Sequence, residues 1–278
     1  MSQTNLNTSA IFAFSNLVRM AQVHKDSMHY RYPVHAFGRL SPKQEQAVVE
    51  EYIPYMAQQL RQAVQQEDSH KTQVYIRALG NMAHPKILRV FEPYLEGEQK
   101  MTDFQRTLVI VSLNKLAKVH PRLARSVLYK TYANTGESYQ VRVAAVYNLM
   151  KTNPPASMLQ RMAQFTHEDP SIQVRSAVKS AIESAATLTS ESNAELRQNA
   201  QSAVDMLVPE VFGIQYSRSN MTDYVVRGLN LGYTQTLNYI GSEDSLIPKA
   251  LLYHLQGDVN GYRQTEYRVS IRPHLVDV

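Results

Sequence analysis

Apolar positions change their spacing once along this chain, and the change divides it. Over residues 8–211 they recur at three- and four-residue intervals within segments of ten to eighteen residues, with glycine almost confined to the turns. That is the pattern of amphipathic helices. Val141, Ala144, Ala145 and Leu149 fit the i, i+3, i+4, i+8 face of a buried helix. Residues 229–240 (LNLGYTQTLNYI) alternate with period two instead. Leu229, Leu231, Tyr233, Leu237 and Tyr239 fall on one face of a strand, and Asn230, Gly232, Thr234, Thr236 and Asn238 on the other. Residues 250–256 alternate weakly, and Tyr267, Val269 and Ile271 line one face of a third strand, with turns at 241–245 and 257–261. The spacing predicts helices followed by an antiparallel meander, with residues 212–227 as a connecting segment rich in Ser, Asn and Tyr.

The helical part repeats. Val141-Arg142-Val143-Ala144-Ala145 and Val174-Arg175-Ser176-Ala177 stand 33 residues apart, and Ile76-Arg77-Ala78 lies 65 residues before Val141. Two second helices open alike, at Ala83-His84-Pro85-Lys86 and Val119-His120-Pro121-Arg122, where proline suits the first helical position. Asn153-Pro154-Pro155 and Asp169-Pro170 read as related boundaries, with Asn or Asp as caps. Repeats of this kind build a helical-pair solenoid, because each pair gains a core only by stacking on its neighbours. Small residues at Ala144, Ala145, Ala177 and Ala181 allow close helix approach. IFAFSNLVRM reads as an interior helix, so the solenoid is expected to start upstream.

The apolar strand face needs a cover, and the sequence up to Val278 is too short to supply a second sheet. Another chain, further sequence or a ligand such as lipid would serve. The residues alone favour a protein sandwich, since apolar sheet faces mostly pack on other protein.

Composition narrows the chemistry. With no cysteine, thiolate metal sites, CxxC redox chemistry and cysteine nucleophiles are excluded. No apolar run approaches a bilayer span, and residues 11–18 lack the basic flank of a secretion signal. No GxSxG, P-loop, GxGxxG or HExxH pattern occurs, so catalysis is not expected. Seventeen tyrosines against seven phenylalanines suit interfaces where a ring is buried and its hydroxyl stays wet.

The charge is uneven. Residues 104–167 carry nine basic side chains against the single acid Glu137, a net +8 within a chain of net +5. Lys115, Lys118, Arg122, Arg125 and Lys130 form its densest run. Charge runs on helices are commonly solvated faces; the functional alternative is contact with an anionic surface such as a membrane. Nucleic acid would be attracted by the same charges, without any recognition motif to support it.

Histidines give no metal site. His24, His29 and His35 are spaced off any single helix face, His84 and His120 occupy equivalent helix starts where capping and packing explain them, and His167-Glu168-Asp169 stands where a repeat turn wants a cap. Two sequons occur, Asn7-Thr8-Ser9 and Asn220-Met221-Thr222, and Asn220 is the better glycan candidate because it is expected in the connector.

Long ordered blocks carry a family resemblance. HYRYPVHAFGRLSPKQ at 29–44, QVYIRALGNMAHPKILRVFEPYLEG at 73–97, ESYQVRVAAVYNLMKTNPP at 137–155 and LNLGYTQTLNYIGSEDSLIPKAL at 229–251 resemble the insect vitellogenins, of the large lipid transfer protein family. The resemblance covers essentially the whole chain. It implies a mainly α fold: a two-layered helical superhelix over residues 1–211, then over 212–278 a connector and the first strands of an amphipathic sheet around a lipid cavity. It implies a secreted yolk lipoprotein that carries lipid, needs no cofactor beyond that lipid, and meets a lipoprotein-class receptor through regions absent here. The N-terminal β-barrel, serine-rich linker, most cavity sheets and the cysteine-rich module are likewise absent. The resemblance turns the balance on the strand face toward lipid, with Leu229, Leu231, Tyr233, Leu237 and Tyr239 as contacts. The remaining domains of such a protein are the expected partners, and a homodimer is left open. The alternative is a basic helical-repeat module that docks on anionic membranes or acidic partners without carrying lipid.

Overall fold

The structure, a computed structural model, describes residues 3–22, 42–229, 231–259 and 262–271. Where the sequence has helical spacing the chain is helical, and an open antiparallel sheet follows. Contacts gather it into two units, residues 1–127 and 128–278.

The first unit holds α1 (Gln3–Ala21), α2 (Pro42–Ala47), α3 (Ile53–Gln65), α4 (Ser69–Met82), α5 (Ile87–Leu95), α6 (Asp103–Ser112) and α7 (Asn114–Val119), with a π-helical turn, Val48–Tyr52, joining α2 to α3. Asp68 caps α4 by accepting from the Lys71 amide at 3.0 Å, and Thr102 and Gln105 form a reciprocal capping box on α6. Helix α4 is the centre: it packs on α1, α3, α6 and α7 and buries Ile76, Ala78, Leu79 and Met82 completely. Gly80 permits the approach of α6, since a Cβ there would stand 2.6 Å from the Ser112 carbonyl oxygen. Lys115 Nζ donates to Asn16 Oδ1 (2.7 Å) and Asn81 Oδ1 (2.6 Å), tying α7 to α1 and α4.

Helix α8 (Pro121–Ala133) spans the division, and the second unit continues with α9 (Tyr139–Met150), α10 (Ala156–Phe165), α11 (Ile172–Ala186) and α12 (Ala194–Gln201). Every residue of α9 from Val141 to Met150 is buried, so the one-sided stripe expected from Val141, Ala144, Ala145 and Leu149 is only part of its core.

The repeated Val-Arg has a chemical meaning in this unit. Arg142 Nε donates to the Tyr132 carbonyl oxygen at 2.8 Å, and Arg175 Nε to that of Thr166 at 2.9 Å, so each arginine satisfies an orphan carbonyl near the end of the preceding helix. Each guanidinium also lies against a ring, Arg142 5.9 Å from the Tyr132 centroid and Arg175 5.6 Å from that of Phe212. Arg77, at the equivalent place in α4, is exposed instead.

Three boundary expectations change. Pro121 opens α8, but α5 begins at Ile87, two residues beyond Pro85, and His84 Nδ1 accepts from the Lys86 amide at 3.1 Å. Asn153 does not cap: it adopts a left-handed φ of 52° and its amide bonds Glu195. Asp169 is committed to Arg142, and Ser171 caps α11.

The sheet has order β1-β2-β3-β4, from β1 (Arg218–Val226), β2 (Leu231–Ile240), β3 (Ala250–Val259) and β4 (Tyr262–Ile271). The meander therefore has one more strand than the spacing predicts, because β1 occupies most of the segment expected to be a connector. Its sequence RSNMTDYVV does not alternate cleanly, and pairing with β2 over Arg218↔Tyr239 to Val226↔Leu231 supplies what the pattern lacks. Strand β1 lies on α11, and β2 reaches α9.

Candidate functional site

The sheet is inverted relative to an ordinary amphipathic sheet: its more polar face meets the helices and its apolar face is open. Ser219, Met221, Asn238, Ile240, His254 and Gln256 are buried and share the helix-facing parity across β1, β2 and β3. Helix side chains bond the strand backbone and the segment leading into it on this side, while Asn238 Oδ1 is buried without a partner among the described residues. Ser180 Oγ accepts from the Ser219 amide at 2.9 Å, and Gln173 Oε1 accepts from the Ser217 amide and hydroxyl at 2.7 and 2.6 Å. Serine on α11 leaves room for the strand as well as a hydrogen-bonding group.

Asp223 closes this junction. Its carboxylate accepts from the Thr189 and Ser190 amides, each at 2.8 Å, and from Asn193 Nδ2 at 2.9 Å, while Asn193 also donates to Thr234 Oγ1 on the neighbouring strand at 3.0 Å. Burial by itself would raise the Asp223 carboxyl; the hydrogen bonds from Asn193, Ser190 and Thr189 overcome it and hold the group down to about 2. At the other end of the sheet the Tyr147 hydroxyl donates to the Tyr239 carbonyl oxygen at 2.8 Å, and burial pushes that phenol well above its usual range.

The opposite face presents Leu231 (37% exposed), Tyr233 (42%) and Leu237 (39%), with Tyr239 half-buried beside them. These predicted residues share one face. Leu229 does not join them: it lies in a 3-10 turn, Arg227–Leu229, and Asn230 falls outside the described residues. Register adds what the sequence reading missed. Tyr224 and Val226 of β1 stand opposite Tyr233 and Leu231, and Leu255, Tyr253 and Leu251 of β3 stand opposite Gln235, Leu237 and Tyr239. Tyr224 and Tyr233 stack at 4.9 Å between ring centroids. The weak alternation of residues 250–256 was the only signal for the β3 members; Tyr224 and Val226 had none. Tyr267, Val269 and Ile271 lie in β4 at positions opposite Leu255, Tyr253 and Leu251.

Asn220 is in β1 rather than in a connector, exposed and opposite Leu237, so a glycan there would rise from the apolar face. The basic run is dispersed in role. Lys115 is half-buried on Asn16 and Asn81, Arg125 is half-buried, and Lys118, Arg122 and Lys130 are exposed. Two other charges of the +8 stretch are matched, Arg142 by Asp169 in the core and Arg106 by Asp103 at 3.0 Å. His24, His29 and His35 fall outside the described residues. Among the described residues no group of three ligating side chains could hold a metal ion.

Comparison with known proteins agrees in both parts of the chain. The family described as the Vitellogenin TPR domain matches residues 1–183, and that described as Vitellinogen, open beta-sheet matches residues 215–273. Vitellogenin-A1 of Aedes aegypti is 48% identical over 265 residues, covering 95% of this chain and 12% of its own length. Vitellogenin-1 of Solenopsis invicta is 44% identical over 268 residues, 96% of this chain and 16% of its own. The chain thus spans less than a fifth of the length of these curated relatives. A solved structure described as "Lipid-protein interactions in lipovitellin" superposes with a TM-score of 0.78 over 93% of this chain and 26% of the other, at 18% identity, which establishes likeness of fold.

Proposed function

We propose that this chain, which belongs to the vitellogenin family, is the helical and first-sheet portion of a lipid-carrying yolk protein and that the open face of β1, β2 and β3 contacts lipid. The observation that carries this is the inversion of the sheet. Ser180 bonds the Ser219 amide, Gln173 bonds Ser217 just before β1, and Asn193 bonds Thr234 and Asp223, so the polar side is pinned to the helices and the apolar side is left open. A wide apolar surface held open by its own scaffold offers acyl chains an alternative to water, at about 25 cal/mol per Å² covered. The helices hold β1 and β2 in place, and no bond chemistry takes part. Secretion, yolk storage and docking to a lipoprotein-class receptor through regions outside this chain belong to the same proposal, supported by the family.

The test is flotation of the chain with phosphatidylcholine vesicles, comparing Leu231→Gln/Leu237→Gln with the unaltered sequence. Lipid association should fall roughly tenfold, from the apolar area lost, while the melting transition stays in place. Equal flotation of the two proteins would remove the open face as the lipid site.

A further inference from the structure

One end of the sheet carries a second apolar feature, outside the strand face. Four aliphatic side chains project there: Val211 (88% exposed) and Ile214 (81%) from the segment before β1, and Leu246 (85%) and Ile247 (46%) from the β2–β3 turn. Their neighbourhood is fixed by hydrogen bonds. Tyr239 at the end of β2 donates from its hydroxyl to the Ile214 carbonyl oxygen at 2.9 Å, which places residue 214 at the rim of the open face. A Cβ on Gly241 would stand 2.5 Å from the Gln215 carbonyl oxygen, so the start of the turn lies against the same segment.

The turn is anchored at its base and bare at its tip. Gly241 N donates to Ser217 Oγ at 2.8 Å, the Tyr139 hydroxyl to the Gly241 carbonyl oxygen at 3.2 Å, and Lys249 N to the Ile240 carbonyl oxygen at 2.8 Å. Gly241 and Ser242 are buried. The tip is shaped locally, with Ile247 N donating to Ser245 Oγ at 3.0 Å. The anchored backbone of the turn has already lost its conformational freedom, so its exposed aliphatic side chains can enter an apolar phase without that further cost.

We propose that this end of the sheet is a lipid-insertion edge: Leu246, Ile247, Val211 and Ile214 enter the headgroup–acyl boundary of a phospholipid surface, beside the open face. The inference rests on the lipid reading of that face, with which the edge is continuous through Tyr239. Two features favour phospholipid over a protein partner. The projecting side chains are Leu, Ile and Val, whereas the anchors of protein interfaces are enriched in Trp, Tyr and Arg. Arg218, exposed on the open face at the Tyr239 end with Nη2 3.4 Å from the Phe212 carbonyl oxygen, and Lys249, half-buried at the foot of the turn, are cations beside the edge that phosphate headgroups would attract. The edge would let the protein meet a lipid surface before the larger face is covered.

The chain contains no tryptophan, so a single one reports its own surroundings. Leu246→Trp, Leu237→Trp on the open face and Leu123→Trp on α8 would each be titrated with phosphatidylcholine–phosphatidylserine vesicles, with and without brominated acyl chains. Leu246→Trp should shift to the blue and be quenched by bromine, Leu123→Trp should do neither, and Leu246→Asn/Ile247→Asn should weaken vesicle partition about tenfold. Movement of Leu237→Trp with Leu246→Trp unchanged would overturn the edge alone. Silence at both positions would remove the lipid face and the edge together. A blue shift of Leu246→Trp on raising protein concentration without vesicles would make the edge a self-association surface and overturn the proposal.

Discussion

Arg142 and Asp169 form a two-pronged ion pair in the second helical unit, with side chains 1% and 2% exposed and Nη1 to Oδ1 at 3.1 Å. Asp169 also accepts from the Ser171 amide at 2.9 Å, and Arg142 holds the Tyr132 carbonyl, so one pair joins the end of α8, the first turn of α9 and the start of α11. Removing one partner strands the other charge away from water. Asp169→Asn and Arg142→Met should each cost about 3–5 kcal/mol in urea unfolding, and combining them should cost far less than the sum. Additive losses in that double-mutant cycle would show that the pair does not act as a unit.

Asp223 gives the sheet junction a pH dependence of known sign. Its folded value of about 2 lies below the ordinary aspartate value, so its contribution is fully present above that ordinary value. As pH falls toward the folded value the contribution is lost. Unfolding followed between about pH 5 and pH 2 should therefore lose a component that Asp223→Asn lacks. The two proteins should converge in acid, and curves that stay parallel over the whole range would exclude this role.

Neighbouring apolar positions of β2 should respond in opposite ways. Ile240 is 1% exposed against the helices, and Ile240→Asn should cost about 3 kcal/mol or more in thermal unfolding. Leu237 is on the open face, and Leu237→Asn should cost less than about 1 kcal/mol. Reversed costs would mean that the sheet buries its other face.

Gly80→Ala should destabilise the first unit although alanine is the better helix former. The added methyl would meet the Ser112 carbonyl oxygen at 2.6 Å, and forcing α4 and α6 apart should cost about 1–3 kcal/mol, read from the shift in melting temperature. A gain of stability would show that α6 yields freely.

Two members of the basic run should separate in a stability measurement. Lys115→Met removes the donor shared by Asn16 and Asn81 and should cost about 1–3 kcal/mol. Arg122→Gln, at an exposed position of α8, should stay within about 0.5 kcal/mol of the parent.

Periodicity alone made the helices, β2 and the antiparallel character of the sheet legible, because a 3.6- or 2-residue pattern records which side of an element is buried. It even assigned Leu231, Tyr233, Leu237 and Tyr239 to a common face. It could not say which face of that strand meets the helices. The usual rule sends the apolar face inward, and here Ser180, Gln173 and Asn193, distant in sequence, answer the polar face instead. β1 was hidden because its pairing with β2, not its own pattern, makes it a strand. The +8 of residues 104–167 was a true count, yet Arg142 and Arg106 find their acids at Asp169 and Asp103, both outside that window. Local pattern determines which elements form, whereas the partner of a polar or charged side chain is set by packing between segments far apart in the chain, and only the tertiary structure decides it.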